Sequence, residues 1–380
     1  MSTASYVRGF LPKVMAFRMA REGLIKPPMP VTLTYSVTNM CQSRCKTCNL
    51  WKVYRDNPEL KKNELKIDEI EKIFKSIGHI YFFNISGGEP FLRKDLAEIV
   101  DLACKYLTPG VIHTPTNALA PKLIEKKTRM ILEIMKENNC SKIPFTIKPS
   151  FDGVGEKHDF IRGREGNFEK VLETLDRLKR LKEQYSNLDV NLGTVISRFN
   201  VDDIEEVSDY AHKLNVDSYI NEIAEQRSEL FTLSDPITPS ADQYENAVRY
   251  FSSVIKKDLK SKGALSRYTQ AFRLVYYDIV TQTLRYKKQV IPCYAGISNV
   301  HINPYGEVWP CCVLGYQKPM GSLRSPEANY DFMKIWQSER AKEVREYIRL
   351  ENCHCPLANQ AYSNILCNFT AMVKVMRNVI

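Results

Sequence analysis

The chain has 380 residues, with 54 Lys+Arg against 44 Asp+Glu for a formal net charge of +10, and 11 cysteines. A hydrophobic fraction of 44% beside 26% charged residues is ordinary for a globular protein and excludes wholesale disorder or a collagen-like repeat. No apolar run of about 18 residues occurs, which excludes a spanning helix, and Arg8, Lys13, Arg18 and Arg21 break up the apolar core a signal peptide needs. The expected location is therefore the cytoplasm, where thiols stay reduced and bind metal more often than they form disulfides.

Two stretches are basic. Residues 1–30 carry five Lys/Arg and one Glu, and residues 256–288 carry nine Lys/Arg and two Asp, a local +7. Such charge suits an anionic partner, whether substrate, nucleic acid or lipid surface, or simply a solvated helix face. In the second stretch Tyr268, Phe272, Val275 and Ile279 fall at helical spacing, the stripe of a helix packing into a core.

In chain order, VTLTYSV (31–37) reads as a buried strand and IDEIEKIFKSI (67–77) as an amphipathic helix. Strands follow at 80–86, 110–115, 145–151, 188–196 and 216–223, alternating with helices at 92–107, 121–137, 167–184 and 204–214. Six strands joined by helices or long crossovers require a parallel sheet, either doubly wound or closed towards a barrel, with functional groups at the C-terminal strand ends. After residue 225 the alternation stops. Helices are expected at 241–261 and 266–285, a hairpin at 298–312 turning at Pro304-Tyr305-Gly306, and helices at 330–349 and 357–377. The expected organisation is a basic extension at 1–30, a core at 31–225, a helical connection at 226–290 and a cysteine-rich module at 291–380.

The first strand runs into Cys41, Cys45 and Cys48, spaced C-x3-C-x2-C. Three thiolates on one loop can ligate three irons of a cubane and leave the fourth open. A structural zinc site is the alternative, but zinc takes four closed ligands and no fourth Cys or His stands close in sequence. Thirty-nine residues after Cys48 comes Gly87-Gly88-Glu89-Pro90 at the end of the second strand. The third strand ends in Thr114-Pro115-Thr116-Asn117, and the fourth in Ser150-Phe151-Asp152-Gly153, followed by HDFIRGREGNF at 158–168.

This ordered set resembles the radical S-adenosylmethionine (radical SAM) superfamily: the cysteine triad, a GGEP motif, a T-N motif in which Ala118 replaces the usual Gly, and an S-x-D-G…I-R-G run. Thr47 departs from the aromatic that usually precedes the third cysteine. The resemblance implies a partial (β/α)6 TIM-like barrel of the α/β class and a SAM-binding [4Fe-4S] cluster held by Cys41, Cys45 and Cys48. It further implies reductive cleavage of SAM to a 5′-deoxyadenosyl radical that abstracts hydrogen from an unidentified substrate. Gly87, Gly88, Glu89, Ser150 and Arg162 are the implied SAM-contacting residues. An ion pair of Arg162 with Asp159 or Glu165 is the plain alternative for that residue. Asn191 and Glu222 are placed where they can face the barrel interior.

Past residue 290, Cys293 followed by Gly306-x4-Cys311 resembles the opening of the SPASM extension, which carries auxiliary iron–sulfur clusters. Four ligands suffice for one auxiliary [4Fe-4S] cluster. Cys293, Cys311 and Cys367 are the first choices, with Cys353 and Cys355 competing for the fourth place and Cys312 left free. Zinc, with His354 in reserve, is the alternative there. Cys104 and Cys140 read as structural thiols. The resemblance implies a one-electron donor such as ferredoxin or flavodoxin and a peptide, cofactor, glycan or lipid precursor, anionic if the basic stretches bear on it, as substrate. A radical enzyme acting on nucleic acid and a non-catalytic iron–sulfur or zinc scaffold are the competing functions, with no firm nucleic-acid or membrane partner. The basic, amphipathic chain ends (13–22 and 357–380) suit either an anionic membrane surface or packing on the barrel.

Overall fold

The computed structural model describes residues 3–259 and 263–379. Its elements are α1 (Thr3–Arg21), β1 (Thr32–Thr38), α2 (Leu50–Asp56), α3 (Ile67–Ile77), β2 (Phe82–Gly87), α4 (Leu96–Leu102), β3 (Val111–Thr116), α5 (Pro121–Glu137), β4 (Phe145–Pro149), α6 (Glu156–Arg162), α7 (Asn167–Lys182), β5 (Leu188–Ile196), α8 (Ile204–Lys213) and β6 (Ser218–Ile223). Then come α9 (Ala241–Asp258), α10 (Ala264–Tyr286), β7 (Asn299–Ile302), β8 (Glu307–Trp309), β9 (Gly321–Ser322), α11 (Phe332–Trp336), α12 (Glu339–Arg349), α13 (Ala358–Cys367) and α14 (Phe369–Val379).

The nine strands form one sheet in the order β6-β5-β4-β3-β2-β1-β7-β8-β9. β1 to β6 are parallel, each pairing with its sequence neighbour, as strand–helix alternation demands. This is the expected α/β partial barrel. Alternate residues of β1 divide its two faces. Leu33, Tyr35 and Val37 are fully buried towards the helices, where Phe74 of α3 meets Tyr35 and Phe83 edge-on at 6.2 and 5.5 Å. The intervening Thr34 and Ser36 hydrogen-bond instead to Asn84 of β2 (3.3 Å) and His301 of β7 (2.8 Å). That polar inner face continues with His113 on Asn84 (2.7 Å) and a Lys148–Glu222 ion pair at 2.7 Å spanning β4 and β6.

The cysteine-rich end continues this sheet. β7 pairs parallel with β1 on the side away from β2, and β8 and β9 follow antiparallel. Val300, Ile302, Val308 and Leu314 join the same buried cluster as the barrel strands. A second cluster lies under α9, α10, α13 and α14. Val275 and Ile279 of the basic stretch are buried and Phe272 packs against Tyr362, so the stripe is core. Arg273 is spent on Tyr219 O and Ser218, and Arg285 on Asp242 and Glu245. Lys260 and Lys262, and the end of the helix expected at 241–261, lie outside the described residues.

Several long helices expected from periodicity are broken by local chemistry. The segment 92–107 is a 3-10 turn at Pro90–Leu92, then α4, then a π-turn at Ala103–Leu107, ending where Thr108 adopts a left-handed φ of 41° before Pro109. The helix expected at 330–349 is split because Ser338 accepts from Ala341 N and starts α12 anew. Asn368 does the same for α14 by accepting from Ala371 N at 2.8 Å. The seven-residue α2 and α6 are too short to show a period and were not anticipated.

Candidate functional site

Cys41, Cys45 and Cys48 lie on the loop between β1 and α2, at the C-terminal ends of the barrel strands. Three distant segments hold this loop by its backbone. Gly88 N and Glu89 N donate to Thr38 O (2.7 Å) and Met40 O (2.8 Å). Arg44 N and Lys46 N donate to Arg162 O (3.0 Å) and Ile161 O (2.8 Å), and Arg164 Nε to Gln42 O (2.5 Å). Asn49 N donates to Leu230 O at 2.9 Å. The approach is so close that a Cβ on Gly88 would lie 2.4 Å from Met40 O, and one on Gly163, at φ 64°, 2.1 Å from Arg44 O. The glycines of both motifs therefore serve first to seat the cysteine loop.

Glu89 is turned inward. Its carboxylate accepts from Thr116 Oγ1 (2.9 Å), Asn117 N (2.7 Å) and Phe91 N (3.2 Å), tying the end of β2 to that of β3, while burial pushes its pKa up to about 7. It stands near Cys41, and both its oxygens are taken by donors of the protein. Asn117 is the side chain that reaches the triad there, with Nδ2 3.5 Å from Cys41 Sγ. Next to it, Ala118 holds φ 61° despite its Cβ, so the special backbone angle of a T-N-G turn persists without glycine.

Arg162 pairs with neither Asp159 nor Glu165. Its Nη1 donates to Asp152 Oδ2 at 3.1 Å, within the S-x-D-G motif itself, whereas Asp159 caps the next helix by accepting from Gly166 N and Phe168 N. Arg162 Nε is buried with no partner among the described residues, and its charge acts on Cys45 and Cys41. Ser150 donates its N–H to Thr116 O, and its hydroxyl has no hydrogen bond among the described residues. An unpaired guanidinium N–H beside the thiols suits a bound carboxylate-bearing ligand.

Burial pushes the Cys41 thiol up to about 12 and raises Cys48 as well, with neighbouring Cys45 adding to both. Such thiols ionise only against a bound cation, as metal ligands do. One group of three among the described His, Cys, Asp and Glu residues brings its ligand atoms within 4.8 Å of one another: Glu229, His301 and Cys312. The triad does not. Three cysteines on one short loop are the donor set of a cubane that keeps one iron open, whereas a structural zinc takes four closed ligands.

In the C-terminal region Cys293, Cys311, Cys353 and Cys355 line one cavity. Gln289 joins their segments, accepting from Cys293 N at 3.2 Å and donating to Cys353 O at 3.0 Å. Cys353 and Cys355, in the irregular segment 352–357, both line the cavity, as does His354 between them. Cys367, expected in the same set, is not among the residues that line this cavity. It ends α13, buried with Phe17, Val31, Tyr294 and Ile297. Cys312 points elsewhere, accepting from Arg227 Nη1 at 3.3 Å. Cys104 and Cys140 are buried together in the barrel core, as expected of structural thiols. Asn191 lies on β5 with no recorded side-chain bond, and Glu222 is held by Lys148.

Sequence comparison supplies the remaining findings. The profile of the radical SAM superfamily matches residues 35–211, and that of the SPASM iron–sulfur cluster-binding domain matches residues 293–356. The chain is 23% identical over 338 residues to the antilisterial bacteriocin subtilosin biosynthesis protein AlbA of Bacillus subtilis, covering 86% of this chain but 65% of that protein. It is 26% identical over 339 residues to the mycofactocin maturase MftC of Mycolicibacterium smegmatis (83% and 73% covered), and 24% identical over 299 residues to the AdoMet-dependent heme synthase of Methanosarcina barkeri (74% of each). Among solved structures, Streptococcus suis SuiB bound to S-adenosylmethionine superposes with a TM-score of 0.59 at 14% identity, over 90% of this chain and 72% of SuiB. The enzyme anSMEcpe with bound AdoMet and a peptide superposes at 0.57 and 16% identity, over 92% and 100%. At these identities the superpositions speak to the fold.

Proposed function

Because the chain belongs to the radical SAM superfamily and carries a SPASM domain, we propose that it is a SAM-cleaving enzyme acting on an unactivated C–H bond of a precursor peptide. The reading is carried most by Cys41, Cys45 and Cys48 sharing one loop that is seated on the segment of Arg162: the backbone of Arg162 and Ile161 accepts from Arg44 N and Lys46 N, and the buried Nε of Arg162 is unpaired among the described residues. When bound, the cluster and SAM supply one-electron cleavage of a sulfonium C–S bond and the hydrogen-abstracting species.

The chain's own residues do the rest. Cys41, Cys45 and Cys48 would hold a cubane by three of its irons, leaving it open to the bound substrate of the cleavage. Arg162, fixed by Asp152, and Ser150 orient a carboxylate beside them. Lys148, Glu222 and His113 line the barrel interior, where a substrate's polar groups are met. Cys293, Cys311, Cys353 and Cys355 are the ligand set for one auxiliary cluster, next to the sheet extension β7–β9.

The peptide class is supported by AlbA and MftC, and by SuiB, whose structure is also known bound to its precursor peptide SuiA. An acidic one-electron donor of the ferredoxin or flavodoxin class is the expected partner, in the reducing cytoplasm. No described helix is long and apolar enough to cross a membrane. The exposed apolar edge of α1, flanked by Lys13, Arg18 and Lys26, supports contact with an anionic membrane surface instead.

Anaerobic, reduced protein is expected to form 5′-deoxyadenosine from SAM, and Cys45→Ala to abolish this while leaving the fold intact, since the residue sits on a loop. A Cys45→Ala protein that still forms it at the wild-type rate would defeat the reading.

A further inference from the structure

The segment after β6 ties the two cysteine regions together. On one side it docks beside Cys48, where Asn49 Nδ2 donates to Phe231 O (2.7 Å) and Asp235 Oδ2 (2.6 Å) in addition to the backbone bond to Leu230. On the other, Ser228 Oγ donates to Val313 O at 3.1 Å. Phe231, held at a left-handed φ of 54°, lays its ring 5.4 Å from Tyr316, which in turn meets Trp309 of β8 at 4.6 Å. A non-glycine residue kept in that conformation is held there by its surroundings.

Arg227 stands between these attachments. Nη1 donates to Cys312 Sγ at 3.3 Å, and Nε, buried and without a hydrogen bond, lies 3.5 Å from Glu229 Oε2. Glu229 in turn lies 3.7 Å from His301 Nε2, which is bonded to Ser36. Glu229, His301 and Cys312 come close enough to hold a metal ion. The cation already among them is the guanidinium, which holds both the thiol and the carboxylate, and a divalent ion would be repelled by it. The backbone of Arg227 closes the turn that reaches the triad: Arg227 N donates to Thr232 Oγ1 (3.2 Å) and Thr232 N to Arg227 O (3.3 Å). Leu230 within that turn accepts from Asn49 N, next to Cys48, on which the charge of Arg227 acts.

We propose that Arg227 is a positioning residue shared by the two cysteine sites, holding the Cys311–Cys312 segment at the barrel mouth and setting the electrostatic potential at Cys48. This rests on the reading that the triad holds a redox-active cluster. Such a cluster gains one negative charge on reduction. A fixed positive charge close to one of its thiolates, in a site where water screens little, favours the reduced state and raises the potential. Glu229 offsets part of that charge and has the opposite effect.

The test is an EPR-monitored redox titration of the full chain, reconstituted anaerobically with iron and sulfide. Arg227→Gln is expected to move the midpoint of the triad-held cluster to more negative potential, and Arg227→Lys, which keeps the charge, to restore most of the difference. Glu229→Gln is expected to move it the other way, and keeps the test decisive if Arg227→Gln does not fold. Equal shifts in the Gln and Lys variants, or a Glu229→Gln midpoint that is unmoved or more negative, would overturn the proposal. Iron content and the change of the EPR signal on adding SAM report separately on the underlying reading. A triad without iron sinks both, whereas iron with an unmoved midpoint sinks only the assignment of Arg227.

Discussion

The buried hydrogen-bond partners of the S-x-D-G…I-R-G run have a consequence in pH. His158 is fully buried, and its Nδ1 accepts from Asp152 N at 3.1 Å, so that nitrogen carries no proton in the folded chain. Burial lowers its pKa to about 4 from the ordinary 6.5, the charge of Asp152 opposing only in part. The unfolded chain therefore binds the extra proton between these two values. The stabilisation is complete above pH 6.5 and is lost as pH falls towards 4, amounting to about 3 kcal/mol at roughly 1.4 kcal/mol per pH unit. His113 and His301, also lowered by burial, act in the same direction. Urea midpoints of the metal-free chain are expected to fall between pH 7 and pH 4.5. His158→Asn, which keeps an acceptor for Asp152 N, is expected to flatten part of that fall; an unchanged slope would show that His158 is not the group responsible.

At the scale of one element, α1 is apolar on two sides. Phe17 and Ala20 are buried against Val31, Tyr294, Ile297 and Cys367. Leu11, Met15 and Met19, at i, i+4 and i+8, are 60, 50 and 40% exposed, and Leu24 at 70% extends the edge. The helix has no acidic residue in its span Thr3–Arg21. Packing on the protein thus leaves the Leu11–Met15–Met19 edge uncovered among the described residues. Flotation with anionic vesicles is expected to carry the protein at low salt and to fail as salt screens the cations. A Leu11→Glu/Met15→Glu/Met19→Glu variant is expected to stay in the pellet with unchanged thermal stability, because none of the three is in the core. Flotation undiminished in that variant would rule out this edge as the contact.

At the scale of the molecule, the two cysteine groupings predict metal content. Reconstituted chain is expected to hold about eight irons, four for each of two cubanes. Substituting Cys41, Cys45 and Cys48 together is expected to leave about four, as is substituting Cys293, Cys311, Cys353 and Cys355. Cys367→Ala is expected to leave all eight, because that thiol lies in an apolar seat away from the cavity. Loss of four irons in Cys367→Ala would mean that the C-terminal ligand set is not the one grouped around the cavity.

What the sequence determined by itself is whatever rests on neighbours along the chain. The period-2 and period-3.6 patterns named the six parallel strands and most of their helices, and with them the C-terminal strand ends where the site had to lie. The triad spacing and the motif order marked the loop and the family because ligands on one short loop need no tertiary contact to be recognised. The tertiary structure alone decided the pairings between segments far apart in the chain. Arg162 takes Asp152 because α6, too short to show a period, turns it back over the fourth strand's end. Cys367 packs on Phe17 and does not line the cavity of the other cysteines because of how α13 is turned, and spacing carries no information about which way a distant helix is turned. Arg227 carried no motif at all. Its role follows from β7 adding to β1, which brings Cys312 and Val313 to the strap that leaves β6, and that join is a tertiary pairing between segments more than 250 residues apart in sequence.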